Sequence, residues 1–116
     1  MVELAKARDI DPNKFLIGIG QEKMAVPTIE EDIVAMAANA ASRIVTEEDK
    51  ELIDQVIFAT ESGFDFSKSA ATYIHQMLGI QPFAKAYEVK HACYGGTAAL
   101  ISAFNYVKLN PERKVL

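Results

Sequence analysis

An α/β layered fold with a mostly parallel sheet is what this sequence predicts, on two observations. Segments with helical spacing alternate with segments of strand character along the chain, and Val56-Ile57-Phe58-Ala59 is a continuous apolar run of strand length. Such a run belongs to a strand covered on both faces, as the strands of parallel sheets are. Only two complete strands are visible, against about five or six in a usual sheet. A third opens at Arg113-Lys114-Val115-Leu116 just as the sequence stops. The chain is therefore expected to be a piece of a larger domain, a layered fold left incomplete.

The elements follow in order. Asp11-Pro12-Asn13 starts a short helical segment through Ile17, with Asp11 as N-cap and Pro12 at the first helical position, and Gly18 and Gly20 end it. After an irregular stretch to Pro27, Thr28 and Glu31 have capping-box spacing. A largely buried helix is expected next, its apolar side formed by Ile33, Met36, Ala37, Ala40, Ala41 and Ile44. The charge run Glu47 to Glu51 reads as a solvated turn and helix end. The apolar strand then ends at Thr60-Glu61-Ser62-Gly63. A second helix spans about Ser67 to Leu78, with Ala70, Ala71, Ile74, Met77 and Leu78 on its apolar side and Gly79 as its stop. Ala84 to Lys90 is read as a strand, and a third helix runs from about Cys93 to Asn110-Pro111.

With 116 residues, half of them hydrophobic, the chain can form one cored domain. Twelve Lys and Arg against sixteen Asp and Glu give a net charge of −4. No segment gathers the bases, which argues against nucleic acid or an anionic membrane as partner. One cysteine cannot form an internal disulfide, and with two histidines it makes no convincing zinc site, so no metal is expected. Charges interrupt the apolar residues of the first eight positions, unlike a secretory leader or a membrane span. A cytoplasmic protein is expected.

Ligands of open α/β sheets bind at the carboxyl ends of the strands. Glu61 follows the first strand and Cys93 the second. Cys93 stands at a strand-to-helix junction, His91-Ala92-Cys93-Tyr94-Gly95-Gly96, where helix N–H groups and the helix dipole favour a thiolate. The glycines remove side chains that would crowd an approaching ligand, and the arrangement resembles a nucleophile elbow with Cys in place of Ser. A lone Cys can equally be a small buried apolar residue. Glu61 is either a general base, desolvated by the preceding strand and by Phe64 and Phe66, or a solvated loop carboxylate or helix-capping group. His75 reads as a structural or surface residue, while His91, two residues before Cys93, invites a Cys–His pair.

Four stretches occur in register: Asp11 to Gln21; Ala59-Thr60-Glu61-Ser62-Gly63 with Ser67-Lys68; Ile80-Gln81-Pro82-Phe83-Ala84; and Ala92-Cys93-Tyr94-Gly95-Gly96-Thr97. Together they resemble the hydroxymethylglutaryl-CoA synthase family in its bacterial form, over nearly the whole chain. The resemblance implies a thiolase-like fold and the condensation of acetyl-CoA with acetoacetyl-CoA to 3-hydroxy-3-methylglutaryl-CoA, a step of the mevalonate route to isoprenoids. It implies that Cys93 carries the acetyl group as a thioester and that its N–H forms part of an oxyanion hole. Glu61 would act as general base, and Asp11 would lie near the acyl-CoA site. Coenzyme A thioesters would be substrates, with no further cofactor, and the assembly a homo-oligomer, a dimer by family habit.

Departures accompany the match. The family's catalytic histidine lies well downstream of the cysteine, and neither His75 nor His91 occupies its place. Family members are several times longer, begin with a strand missing here, and often have an acidic residue where His91 stands. A truncated synthase, residues 1–116 of a partial N-terminal domain, is accordingly expected not to complete the condensation alone. Two alternatives stay open at this point. One is another condensing enzyme of the thiolase superfamily, such as a ketoacyl synthase, against which Glu61 speaks. The other is a non-catalytic module for oligomerisation or acyl-CoA binding.

Overall fold

In a computed structural model that describes residues 1–116, the apolar run lies inside a longer strand, β1, Ile53–Ala59. Two further strands pair with it in parallel, β2 (Lys85–Val89) on one side and β3 (Lys114–Val115) on the other, giving the order β2-β1-β3. The ladder continues past β3, where Leu116 donates to the Gln55 carbonyl at 2.9 Å and accepts from the Ile57 N–H at 2.8 Å. The α/β class with a parallel sheet is as expected.

Polar residues hide the true start of β1 in the sequence, and each is satisfied by partners distant in the chain. Gln55, buried at 7% exposure, accepts from the Tyr87 hydroxyl at 3.2 Å. Asp54 accepts from the Arg113 Nε at 2.9 Å and Nη2 at 2.5 Å, and from the Tyr106 hydroxyl at 2.6 Å. The Arg113 guanidinium first, then the Tyr106 hydroxyl, hold the Asp54 carboxyl down to about 2, from 3.8. A carboxyl depressed in the folded state contributes stability above its unfolded pKa of about 3.9, and that contribution is lost as pH falls toward the folded value. Asp54→Asn is expected to lower the thermal midpoint at neutral pH and to show a smaller fall than the parent between about pH 4 and pH 2, read by circular dichroism.

Helix α3 (Ile33–Ser42) starts later than its sequence suggests, capped by Asp32, whose Oδ1 accepts from the Ala35 N–H at 2.8 Å. Its buried residues are Val34, Ala38 and Ala41, so only Ala41 of the expected stripe is in the core; Met36 and Ile44 are exposed. Apolar residues occur all round this helix, so spacing alone did not determine its rotation. The charge run is a short helix, α4 (Glu47–Leu52), rather than a turn. Thr46 and Asp49 cap it reciprocally, Asp49 Oδ2 accepting from the Thr46 N–H at 2.7 Å and Thr46 Oγ1 from the Asp49 N–H at 3.2 Å. Asp49 also pairs with Lys114, tying α4 to β3.

Helix α5 (Ala70–Leu78) is capped by Ser69, whose Oγ accepts from the Ala71 N–H at 3.1 Å, and ends at Gly79. Gly79 has φ +66°, where a Cβ would be strained. The core joins α3 and α5 to the sheet through Val34, Ala41, Ile53, Val56, Ala71 and Ile74. Helix α6 (Gly95–Leu109) returns from β2 past β1 to β3. Right-handed crossovers running in opposite directions along the sheet set α5 and α6 on opposite faces. On α6, Leu100, Phe104 and Leu109 are exposed.

Residues Glu31–Leu116 form one unit; Met1–Glu30 form another, with α1 (Val2–Ala7) and α2 (Asn13–Leu16). The Asp11 cap is present, its Oδ1 accepting from the Asn13 N–H at 3.0 Å, whereas α1 was not anticipated. No helix is long and apolar enough to cross a membrane.

Candidate active site

Two adjacent parallel strands end together: Ala59 of β1 is in register with Val89 of β2. One more ladder bond follows, from the Thr60 N–H to the Val89 carbonyl at 3.2 Å, and the next residue is Glu61. Cys93 lies four residues beyond Val89 in a short 3-10 turn, Ala92–Tyr94, that leads into α6. The helix begins at Gly95, next to the ends of both strands. A Cβ there would sit 3.4 Å from the Val89 carbonyl and 3.9 Å from the Ala59 Cβ, packed on the ends of both strands. Sequence-predicted Glu61 and Cys93 thus leave the same edge of the sheet from neighbouring strands.

The turn that presents Cys93 is tight. The Tyr94 and Gly95 N–H groups both donate to the His91 carbonyl, at 2.9 and 2.7 Å, and Ala92 has φ +31°, unusual for a residue with a Cβ. Backbone strain of this kind is held in place only by its surroundings and is frequent at reactive sites. Cys93 is exposed and free, not a buried apolar filler.

The Cys–His pair does not form. His91 sets its ring edge-on to Tyr94, with centroids 5.2 Å apart, and has no hydrogen bond to Cys93. His75 Nε2 bonds the Gln81 carbonyl at 3.0 Å, a structural role. The aromatic enclosure expected around Glu61 is also missing. Phe64 leans on Tyr73 at 5.8 Å, Phe66 is 99% exposed, and Glu61 itself is exposed. Asp11 belongs to the N-terminal unit, where it is exposed and caps α2.

The Glu61 loop is ordered by local contacts. The Ser62 N–H donates to Thr60 Oγ1 at 3.0 Å, and Asp65 Oδ1 accepts from the Ser67 and Lys68 N–H groups at 2.7 and 2.9 Å. The Lys68 and Ser67 N–H groups, in that order, hold the Asp65 carboxyl below its ordinary range. An open cavity of about 290 Å³ lies under this loop, lined by Gly63, Phe66, Ser67, Lys68, Glu88 and Lys90. Sequence reading passed over Glu88. Its sequence neighbours give no signal, since its partner, the Ala70 N–H, is 18 residues away.

The model of the hydroxymethylglutaryl-coenzyme A synthase N-terminal family matches residues 1–112. The chain belongs to the hydroxymethylglutaryl-CoA synthase family. It is 59% identical to the hydroxymethylglutaryl-CoA synthase of Enterococcus faecalis over its whole length, which is 30% of that protein. To a polyketide biosynthesis 3-hydroxy-3-methylglutaryl-ACP synthase of Bacillus subtilis it is 40% identical, over all of this chain and 29% of the relative. The crystal structure of a synthase complexed with CoA superposes with a TM-score of 0.81 at 49% identity, covering 95% of this chain and 28% of the other. This synthase-family chain therefore has part of the thiolase-like fold, and it spans about three-tenths of the length of the relatives it matches.

Proposed function

We propose that this synthase-family chain carries the acetyl-accepting site of a hydroxymethylglutaryl-CoA synthase, with Cys93 as nucleophile and Glu61 as general base. The observation that supports it is the departure of both residues from the carboxyl ends of neighbouring parallel strands. The Cys93 Sγ attacks the thioester carbonyl of acetyl-CoA, a new C–S bond forms, and coenzyme A leaves as its thiol with the cysteine proton. The Cys93 N–H, in the turn that leads into α6, is suited to donate to the carbonyl oxygen on which negative charge builds. Glu61 then takes a proton from the acetyl methyl, and the resulting carbon attacks the ketone of acetoacetyl-CoA. Water finally cleaves the thioester, releasing 3-hydroxy-3-methylglutaryl-CoA and the free thiol. Greater identity to the Enterococcus enzyme than to the carrier-protein synthase, 59% against 40%, favours CoA thioesters over carrier-bound ones.

The test is incubation with acetyl-CoA in heavy water, followed by digestion and mass spectrometry of the peptide from His91 to Lys108. One acetyl group on that peptide, with deuterium entering its methyl, is expected; a chain that takes up no acetyl group overturns the reading. Self-association through the exposed apolar residues of α6, Leu100, Phe104 and Leu109, belongs to the same reading. Size-exclusion chromatography is expected to show a species larger than the 12.7 kDa monomer, and a clean monomer counts against it.

A further inference from the structure

We propose that Glu88 is a positioning residue that fixes the Glu61 loop to the strand leading to Cys93. Its side chain spans the two ends of that loop. Glu88 Oε2 accepts from the N–H of Ala70, the first residue of α5, at 2.9 Å, while Oε1 lies 2.5 Å from where a Cβ on Gly63 would be. Gly63 is two residues beyond Glu61, and Ala70 is where the loop re-enters a helix. Glu88 itself is half-buried on β2, opposite Phe58 of β1 and five residues before Cys93. One carboxylate therefore holds the end of the loop by a hydrogen bond and packs against its start at Gly63, from the strand that continues into the nucleophile turn.

Glu88 also satisfies the Ala70 N–H, an amide at the start of α5 that no local side chain reaches. Ser69 caps the helix through the Ala71 N–H, and Asp65 holds the Ser67 and Lys68 N–H groups. What Glu88 adds is the tie between β2 and the Glu61 loop, reinforced by the charge-assisted bond to Ala70. The absent Cβ at Gly63 leaves room for that carboxylate. A methyl there would push Oε1 away and strain the bond that Oε2 makes.

The inference deepens the acetyl-transfer reading and rests on it for its catalytic consequence, so two measurements are made on the same variants. Amide hydrogen exchange at Ala70 reads the tie itself. Deuterium uptake into the methyl of acetyl-Cys93 reads the placement of Glu61, and the rate of acetylation reads Cys93 alone. Glu88→Ala is expected to speed Ala70 exchange about tenfold and to slow methyl deuteration about tenfold, with acetylation within about twofold of the parent. Glu88→Gln, which keeps an acceptor oxygen at the same reach, is expected to restore both. Should Glu88→Ala fail to fold, Gly63→Ala replaces it and is expected to show the same split. Unchanged Ala70 exchange overturns the tie; acetylation and deuteration falling together overturn the positioning role in favour of a merely structural one. A parent chain that takes up no acetyl group overturns the acetyl-transfer reading, and amide exchange still decides the tie.

Discussion

Cys93→Ser is expected to take up no acetyl group from acetyl-CoA, and Glu61→Gln to be acetylated at close to the parent rate while methyl deuteration falls about a hundred- to ten-thousand-fold. The two variants separate the two roles because the site offers each residue different help. A serine hydroxyl at position 93 needs a neighbouring base to become nucleophilic, and the one histidine nearby in sequence, His91, is turned onto Tyr94. A thiol requires less assistance, since it ionises far more readily than a hydroxyl. Glutamine at position 61 keeps the size and hydrogen-bonding reach of the glutamate but cannot take a proton. Glu61 is exposed and holds nothing else in place, so folding is expected to be unaffected. Mass spectrometry of the peptide from His91 to Lys108 reads both outcomes. Equal loss of acetylation in both variants would mean that Glu61 acts on the first step and not on the second.

Ile74→Ala is expected to destabilise the chain by about 2–4 kcal/mol, a large part of the stability of a domain this size. Ile74 is 3% exposed on the buried side of α5, where it packs with Val56 of β1 and the small residues of α3. It also borders an open apolar groove between α3 and the sheet, lined by Ala37, Ile44, Ile57, Phe58 and Leu116. The truncated site can partly relax into that groove, which sets the expected value below the top of the range for such changes. Met77, three residues further on and 60% exposed, provides the comparison: Met77→Ala is expected to stay within about 0.5 kcal/mol. Urea unfolding followed by circular dichroism distinguishes the two by their midpoints, and equal midpoints would show that α5 does not pack as described.

Sequence reading succeeded where the chemistry is local. Gly79 stands at its expected stop and Asp11 at its expected cap, because each acts on backbone groups within three or four residues. Glu61 and Cys93 were placed beyond strand ends for a related reason, since each comes within a few residues of a strand that the local sequence marks. Rotation of α3 was not legible, because a helix rich in alanine presents no single apolar side until α5 selects one. The start of β1 was hidden by Asp54 and Gln55, whose partners Arg113, Tyr106 and Tyr87 are 32 to 59 residues away. Desolvation of Glu61 by Phe64 and Phe66 was a guess from nearness in sequence, and the two rings turn elsewhere. Glu88 went unnoticed for want of any local role: its hydrogen-bond partner, the Ala70 N–H, is 18 residues away.

The order β2-β1-β3 has a consequence for how the chain assembles. β1 is made first, yet it is the central strand and both its neighbours are still to come, β2 after α5 and β3 only after α6. At synthesis rates of about 5–20 residues per second, the central strand waits seconds with both edges bare. Each pairing must also close a long loop before any ladder bond is gained, which makes parallel sheets slow to form. The link from Arg113 back to Asp54 bridges 59 residues and can close only after Arg113 has been made. Helices α3 and α5, formed early and rich in alanine, are then the natural cover for β1 in the interval, and the sheet is the last part of the fold to become cooperative.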